Sequence, residues 1–268
     1  MLDFRSISAA TLQTISAVLL LLPLCLAAAC SGSDQPETKP VKTMVCPTPV
    51  PAAQAETNAP APDAPTKTGL VPANFYNKDI RIELRYATAN NFMHRVLYDT
   101  LNTAYLQVSA AKKLAQAQSL LSLLKPGYRL LVYDALRPQS VQFEMWNALD
   151  TIPEGERSKF VSNPVNGSVH NYAAAIDITI TDKNGNPLDM GAGYDDIRKI
   201  AYPQLEAQFL STGELTEQQV ENRRLLRKVM KSQGFGNIPT EWWHFNEFPR
   251  SVVKQRYKMV RTEGEVGR

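Results

Sequence analysis

Ser168-Val169-His170-Asn171-Tyr172-Ala173-Ala174-Ala175-Ile176-Asp177-Ile178-Thr179-Ile180-Thr181 carries two signals in one stretch. From Ala175 the side chains alternate. Ile176, Ile178 and Ile180 fall on one face and Ala175, Asp177 and Thr179 on the other, which is the two-residue period of a strand. Asn184-Gly185 follows as a strong turn signal, so a hairpin is predicted after the strand. Asp177 is the residue out of place. A half-buried carboxylate is costly unless it is paired, hydrogen-bonded or bound to a metal, whereas on a solvent-facing strand it would be ordinary. His170, in the loop just before, makes the metal reading worth pursuing.

Outward from this strand the pattern stays mixed. Ile80, Ile82 and Leu84 alternate with Arg81, Glu83 and Arg85, predicting a strand on which Arg85 is an ordinary exposed residue. Ser109 is placed to cap a helix with Leu114, Ala117, Leu120, Leu121 and Leu124 on one side, stopped by Pro126-Gly127. Tyr128 to Tyr133 reads as a strand, and Pro138 suits the first turn of a helix carrying Val141, Met145, Trp146 and Leu149. Thr216 with Gln219 forms a capping box for a long helix through Val220, Leu226, Val229 and Met230, closed by Gly234. Strands and helices in this order imply an α+β fold with a mainly antiparallel sheet packed by helices.

The chain holds only three histidines, His94, His170 and His244. The last sits in Glu241-Trp242-Trp243-His244, between apolar walls. For a lone histidine in that setting a satisfied core residue is the competing reading. Two neutral histidines and an aspartate, His170, Asp177 and His244, make a three-ligand set of the kind used for catalytic zinc with the fourth position left to water. Glu241 would then take the water's proton without binding the metal. Residues i and i+3 do not share a face of a regular strand, so Glu241 is expected at a bend or a strand start.

Four segments in order, Ile82 to Phe92, Tyr133-Asp134-Ala135-Leu136-Arg137-Pro138, Ser168 to Asp177 and Glu241 to His244, resemble the zinc D-Ala-D-Ala dipeptidases of peptidase family M15. The resemblance spans about Asn74 to Phe248. It implies one zinc per chain on His170, Asp177 and His244, Glu241 as catalytic base, and Arg137 as the arginine that stabilises the transition state. It also implies Asp195 as the group holding the substrate's amino end, Ser168 lining the site, and free D-Ala-D-Ala as substrate. Asp134 is expected to orient Arg137, and His94 to lie on the surface or behind the ligands. The chain departs from the family at Ala173, where glycine is usual, and in Asp134-Ala135-Leu136-Arg137-Pro138, where the family has Asp-Gly-Tyr-Arg-Pro. The rival readings are a D,D-carboxypeptidase acting on longer peptidoglycan peptides and a zinc-stabilised wall-binding lipoprotein without turnover. Glu241 and Arg137 speak against the binder, since holding zinc needs neither.

Upstream, Arg5, an apolar run from about Ile15 to Leu26 and Ala27-Ala28-Ala29-Cys30 have the order of a secretory signal peptide over residues 1–30. Cys30 is positioned for lipidation at a lipobox, with plain cleavage after Ala29 as the alternative. The expected location is the cell envelope, on a membrane anchor. Residues 31–70 are rich in Pro, Ala and Thr and poor in large apolar side chains, as in a disordered tether. The folded domain is expected over residues 71–268. Cys25, Cys30 and Cys46 all precede it, which excludes a disulfide framework or thiolate metal site there. The net charge is +3 with 21% charged residues and no basic block, so no nucleic-acid partner is implied.

Overall fold

The computed structural model describes residues 65–266. The signal peptide, Cys30 and the tether up to residue 64 lie outside the described residues, as do residues 267–268. The elements are β1 (Val71–Pro72), β2 (Arg81–Ile82), β3 (Tyr105–Leu106), α1 (Val108–Leu124), β4 (Arg129–Asp134), α2 (Gln139–Ala148) and α3 (Glu154–Arg157), followed by β5 (Ala175–Thr181), α4 (Glu206–Ser211), α5 (Glu217–Lys231), β6 (Gly236–Asn237), β7 (His244–Asn246) and α6 (Arg250–Arg256).

The main sheet has the order β2-β4-β5-β7-β6. Only the β2–β4 pair is parallel; the other three pairings are antiparallel, which agrees with the mainly antiparallel α+β expectation. β5 sits at the centre, and this explains its composition. A strand with neighbours on both sides and cover on both faces buries every side chain, and all seven of its residues are buried. Leu130 and Val132 stand opposite Ile180 and Ile178, and these four share one core with Ile176, with Leu114 and Leu121 of α1, and with Leu226 and Val229 of α5. Burying each such aliphatic side chain contributes about 1.5–3 kcal/mol, so this layer fixes the strand's register. The other face carries Asp177, Thr179, Leu131 and Tyr133.

Several local expectations need adjustment. The alternation around Ile82 yields only a two-residue strand at the sheet edge, although Ile80 and Leu84 are buried as the pattern implies. Ser109 is not the cap of α1. The helix starts two residues earlier with Gln107 at its N-cap, where Gln107 N donates to Ala173 O, and the Ser109 hydroxyl pairs with Tyr257 instead. Pro138 stands at the N-cap of α2 rather than inside its first turn. After β5 the chain turns at Gly185 (φ +89°), but the returning arm makes only an isolated bridge, Thr181 to Pro187. The Thr216–Gln219 capping box on α5 is present in both directions. The fold also begins slightly before residue 71: Thr66 Oγ1 accepts from Leu70 N at 3.0 Å, and Leu70 is a core residue. Among the described residues no helix is long and apolar enough to cross a membrane.

Candidate active site

The antiparallel pairing of β5 with β7 sets Asp177 directly opposite His244. Cross-strand partners on one face lie close enough to share a ligand. On the other flank, a register shift between Val132 and Asp134 brings Asp134 opposite Asp177. Such a bulge re-aims a side chain at the end of a strand, here into the site. His170 comes from a 3-10 turn, Val169–Tyr172, closed by a capping box in which Ser168 accepts from the turn's backbone and Asn171 answers to Ser168 N. Ala173 then takes a left-handed conformation (φ 54°, ψ 31°) and directs the chain into β5.

These devices bring together three atoms. His170 Nε2 lies 3.2 Å from His244 Nδ1 and 3.3 Å from Asp177 Oδ1, and His244 Nδ1 lies 3.0 Å from Asp177 Oδ1. The outer ring nitrogens decide what these atoms are. His170 Nδ1 is 2.6 Å from Ala135 O, which can only accept, so the proton sits on Nδ1 and Nε2 turns a lone pair inward. His244 Nε2 faces Asn246 Oδ1 at 2.9 Å, which likewise leaves Nδ1 as the inward acceptor. Three acceptors meeting at about 3 Å repel one another unless a cation lies among them, so the donor set fits a divalent metal with nitrogen and oxygen ligands. Asp177 is buried beside these two histidines. Its second oxygen is also engaged, by Tyr194 Oη at 3.1 Å and Arg137 Nη2 at 3.5 Å.

Glu241 stands between two bends, at 239–240 and 242–243, just before β7, with Oε2 3.8 Å from His244 Nδ1. Burial pushes its pKa up and the charge of Asp177 adds to this. That direction suits a group that must accept a proton near neutral pH. Arg137 is buried and fixed by Asp134, whose Oδ2 accepts from Nε at 3.0 Å and Nη2 at 2.7 Å, while Tyr98 donates to Asp134 Oδ1 at 2.5 Å. Asp134 therefore orients Arg137. The guanidinium also lies over the Tyr86 ring, 4.8 Å from its centroid.

Asp195 reaches the same cleft from a loop at φ 61°, held by Tyr86 Oη, which donates at 3.0–3.1 Å to its carboxylate. Burial raises its pKa well above the ordinary value, and the negative charge of Asp177 raises it further. The cleft is about 230 Å³ and is lined by His170, Asp177, His244, Glu241, Arg137 and Asp195 together with Ser168, Trp243 and Arg250. A larger hollow of about 760 Å³ lies beside it, along Arg85, Tyr133, Tyr194 and Trp242, but contains none of the three converging ligand atoms. The chemistry belongs to the smaller cleft.

All seven predicted site residues of the folded domain thus share one cleft. His94 is exposed and lies outside it. Arg85 is corrected: its side chain is only 16% exposed, it pairs with Glu83 and stacks 4.3 Å over the Tyr133 ring. Sequence reasoning had assigned no part to Tyr86, Tyr194 or Asn246. Asn246 had a signal, since it lies two residues beyond His244 and strand parity puts it on the same face.

The sequence profile described as D-Ala-D-Ala dipeptidase, peptidase M15, matches residues 66–263. This chain belongs to the M15 peptidase family. Among curated relatives, the D-alanyl-D-alanine dipeptidase of Escherichia coli K12 is 35% identical over 185 residues, covering 69% of this chain and 87% of that protein. The protein of the same name from Synechocystis is 31% identical, covering 53% and 68%, and that from Enterococcus faecalis is 27% identical, covering 62% and 85%. One solved structure, titled "Structure of the LdcB LD-carboxypeptidase reveals the molecular basis of peptidoglycan recognition", aligns with a TM-score of 0.39 at 18% identity over 69% of this chain and 75% of that one. That likeness is too loose to add to the family assignment, under which this chain is an M15 peptidase.

Proposed function

We propose that this M15 peptidase is a zinc dipeptidase that hydrolyses free D-Ala-D-Ala in cell-wall peptide metabolism. One observation carries the reading: three inward acceptors from His170, Asp177 and His244, with a raised-pKa glutamate beside them, share a 230 Å³ cleft with a partly buried carboxylate, Asp195. Clefts for drug-sized ligands usually run from about 300 Å³ upward, so this one suits a smaller molecule. The names of the relatives supply the substrate.

One zinc, held by His170, Asp177 and His244, would supply Lewis acidity and lower the pKa of water at the site. Glu241 takes the proton from the attacking water and returns it to the leaving amine. Arg137, locked by Asp134, faces the oxyanion as the peptide carbon becomes tetrahedral, and its preorganised charge costs no rearrangement at that moment. Asp195 pairs with the substrate's ammonium. A neutral acylated nitrogen would leave that partly buried carboxylate without its partner, which is the basis for excluding longer peptides. The leader sequence supports export, with Cys30 as the lipid anchor that keeps the enzyme at the envelope.

The test compares D-Ala-D-Ala with N-acetyl-D-Ala-D-Ala on zinc-loaded protein. The free dipeptide is expected to be cleaved with a kcat/KM at least about a hundredfold higher, the scale at which sites reject a substrate that leaves a buried polar group unpaired. Equal cleavage of both would replace the dipeptidase reading with the carboxypeptidase one.

A further inference from the structure

D-Ala-D-Ala is a zwitterion, and Asp195 answers only one of its ends. The cleft has two cations among its lining residues, Arg137 and Arg250. Arg137 already has the oxyanion as its task and is held there, with Asp134 taking its Nε and Nη2 and Gln142 Oε1 3.4 Å from Nη1. Arg250 is different. It is the first residue of α6, and it anchors itself through a single nitrogen, Nη2, which donates to Asn166 O at 2.6 Å and to Gly167 O. Among the described residues it forms no ion pair, and its Nε and Nη1 groups have no protein acceptor. The two carbonyls it grips immediately precede Ser168. Among the described residues the Ser168 hydroxyl only accepts, from the backbone of the 169–172 turn with His170 N at 3.3 Å, so its own hydrogen is free to be donated.

We propose that Arg250 is a specificity-determining residue that binds the carboxylate of the substrate, with the Ser168 hydroxyl beside it. A guanidinium held by one nitrogen keeps the other N–H groups for an acceptor, and the planar fork matches a carboxylate. Backbone anchoring also reduces the side-chain entropy lost when the ligand arrives. The cleft then has a charge for each end of the zwitterion on separate segments: Asp195, clamped by Tyr86, and Arg250, clamped by Asn166 and Gly167. This assignment rests on the dipeptidase reading.

The experiment measures KM and kcat for D-Ala-D-Ala, and the turnover and inhibition constant of D-Ala-D-alaninamide, which lacks the negative end, in wild type, Arg250→Gln and Arg250→Lys. Hydrogen bonds to charged groups contribute about 1.5–3 kcal/mol, or roughly ten- to a hundredfold in affinity. The wild type is expected to favour the acid over the amide. Arg250→Gln should weaken the acid by that factor, mainly through KM, while the amide changes less than about twofold, and Arg250→Lys should recover part of the loss. An equal loss on acid and amide would show that Arg250 only holds the 166–167 turn, and an unchanged KM for the acid would show no role; either overturns the proposal. Wild-type protein that cleaves the acetylated peptide but not the free dipeptide would overturn the dipeptidase reading, and this assignment with it.

Discussion

The metal cradle and the recognition rim of this cleft are built by different means. In the cradle, Asp177 and His244 are opposite residues of paired strands, one of them buried at the centre of the sheet, and each histidine has its outer nitrogen tied to a fixed acceptor. The rim comes from irregular segments: Asp195 on a left-handed loop residue, Ser168 capping a short turn, Arg250 at the start of α6. Strands hold positions through a ladder and a packed core, while loops hold them through a few side-chain hydrogen bonds. A change in the cradle should therefore abolish chemistry, and a change on the rim should alter which substrate is accepted.

The largest effect expected is in the cradle's proton acceptor. Glu241→Gln keeps the shape and leaves His170, Asp177 and His244 intact, so zinc content should stay at one per chain. The amide accepts no proton, and kcat should fall by about a hundredfold to ten-thousandfold with little change in KM. Metal analysis alongside steady-state kinetics checks both halves. Normal turnover with full metal would remove Glu241 from the mechanism and leave the cradle as a holder only.

On the rim, Asp195→Ala removes the partner of the substrate's ammonium and also the partly buried carboxylate that penalises an acylated nitrogen. Its kcat/KM on free D-Ala-D-Ala should drop about ten- to a hundredfold, the range for a charged hydrogen bond, while the acetylated substrate loses less, so the gap between them narrows. Equal losses on both substrates would mean that Asp195 supports the cradle rather than choosing the substrate, and the division between the two regions would fail there.

The same division explains what could be read from the sequence. The β5 alternation, the Thr216–Gln219 capping box and the bends on either side of Glu241 depend on neighbours within a few residues, and each is found in the structure. Arg85 was misread because its burial is set by Tyr133, 48 positions away across the sheet, which no local pattern encodes. Ser109 looked like a cap, but the start of α1 is decided by Gln107 pairing with Ala173, again a distant partner. Asp195 and Arg137 were assigned through family resemblance, since a loop aspartate and an arginine before a proline have no spacing signature of their own. The clamps behind them, Tyr86 on Asp195 and Asp134 on Arg137, become visible only when the sheet brings the segments together.

The smallest effect is expected at the joint between the two regions. Ala173 adopts φ 54° where the family usually has glycine, and it is fully buried in the main core. A left-handed conformation costs a residue with a side chain about 1–2 kcal/mol, which Ala173→Gly would relieve. Two losses oppose the gain: about 0.8 kcal/mol for the buried methyl group, and about 0.5–1 kcal/mol for the greater freedom of glycine in the unfolded chain. The terms nearly cancel, so the net change in stability should stay under about 1 kcal/mol, a shift of at most about 4 °C in Tm for a domain of this size. Turnover should be unchanged, because the bonds that set the joint, Ala173 N to His170 O and Gln107 N to Ala173 O, are made by backbone and survive the substitution. Calorimetry and kinetics on the variant test this. A gain of several degrees with faster turnover would show that the alanine strains the His170 turn and that the cradle is less rigid than its strands imply.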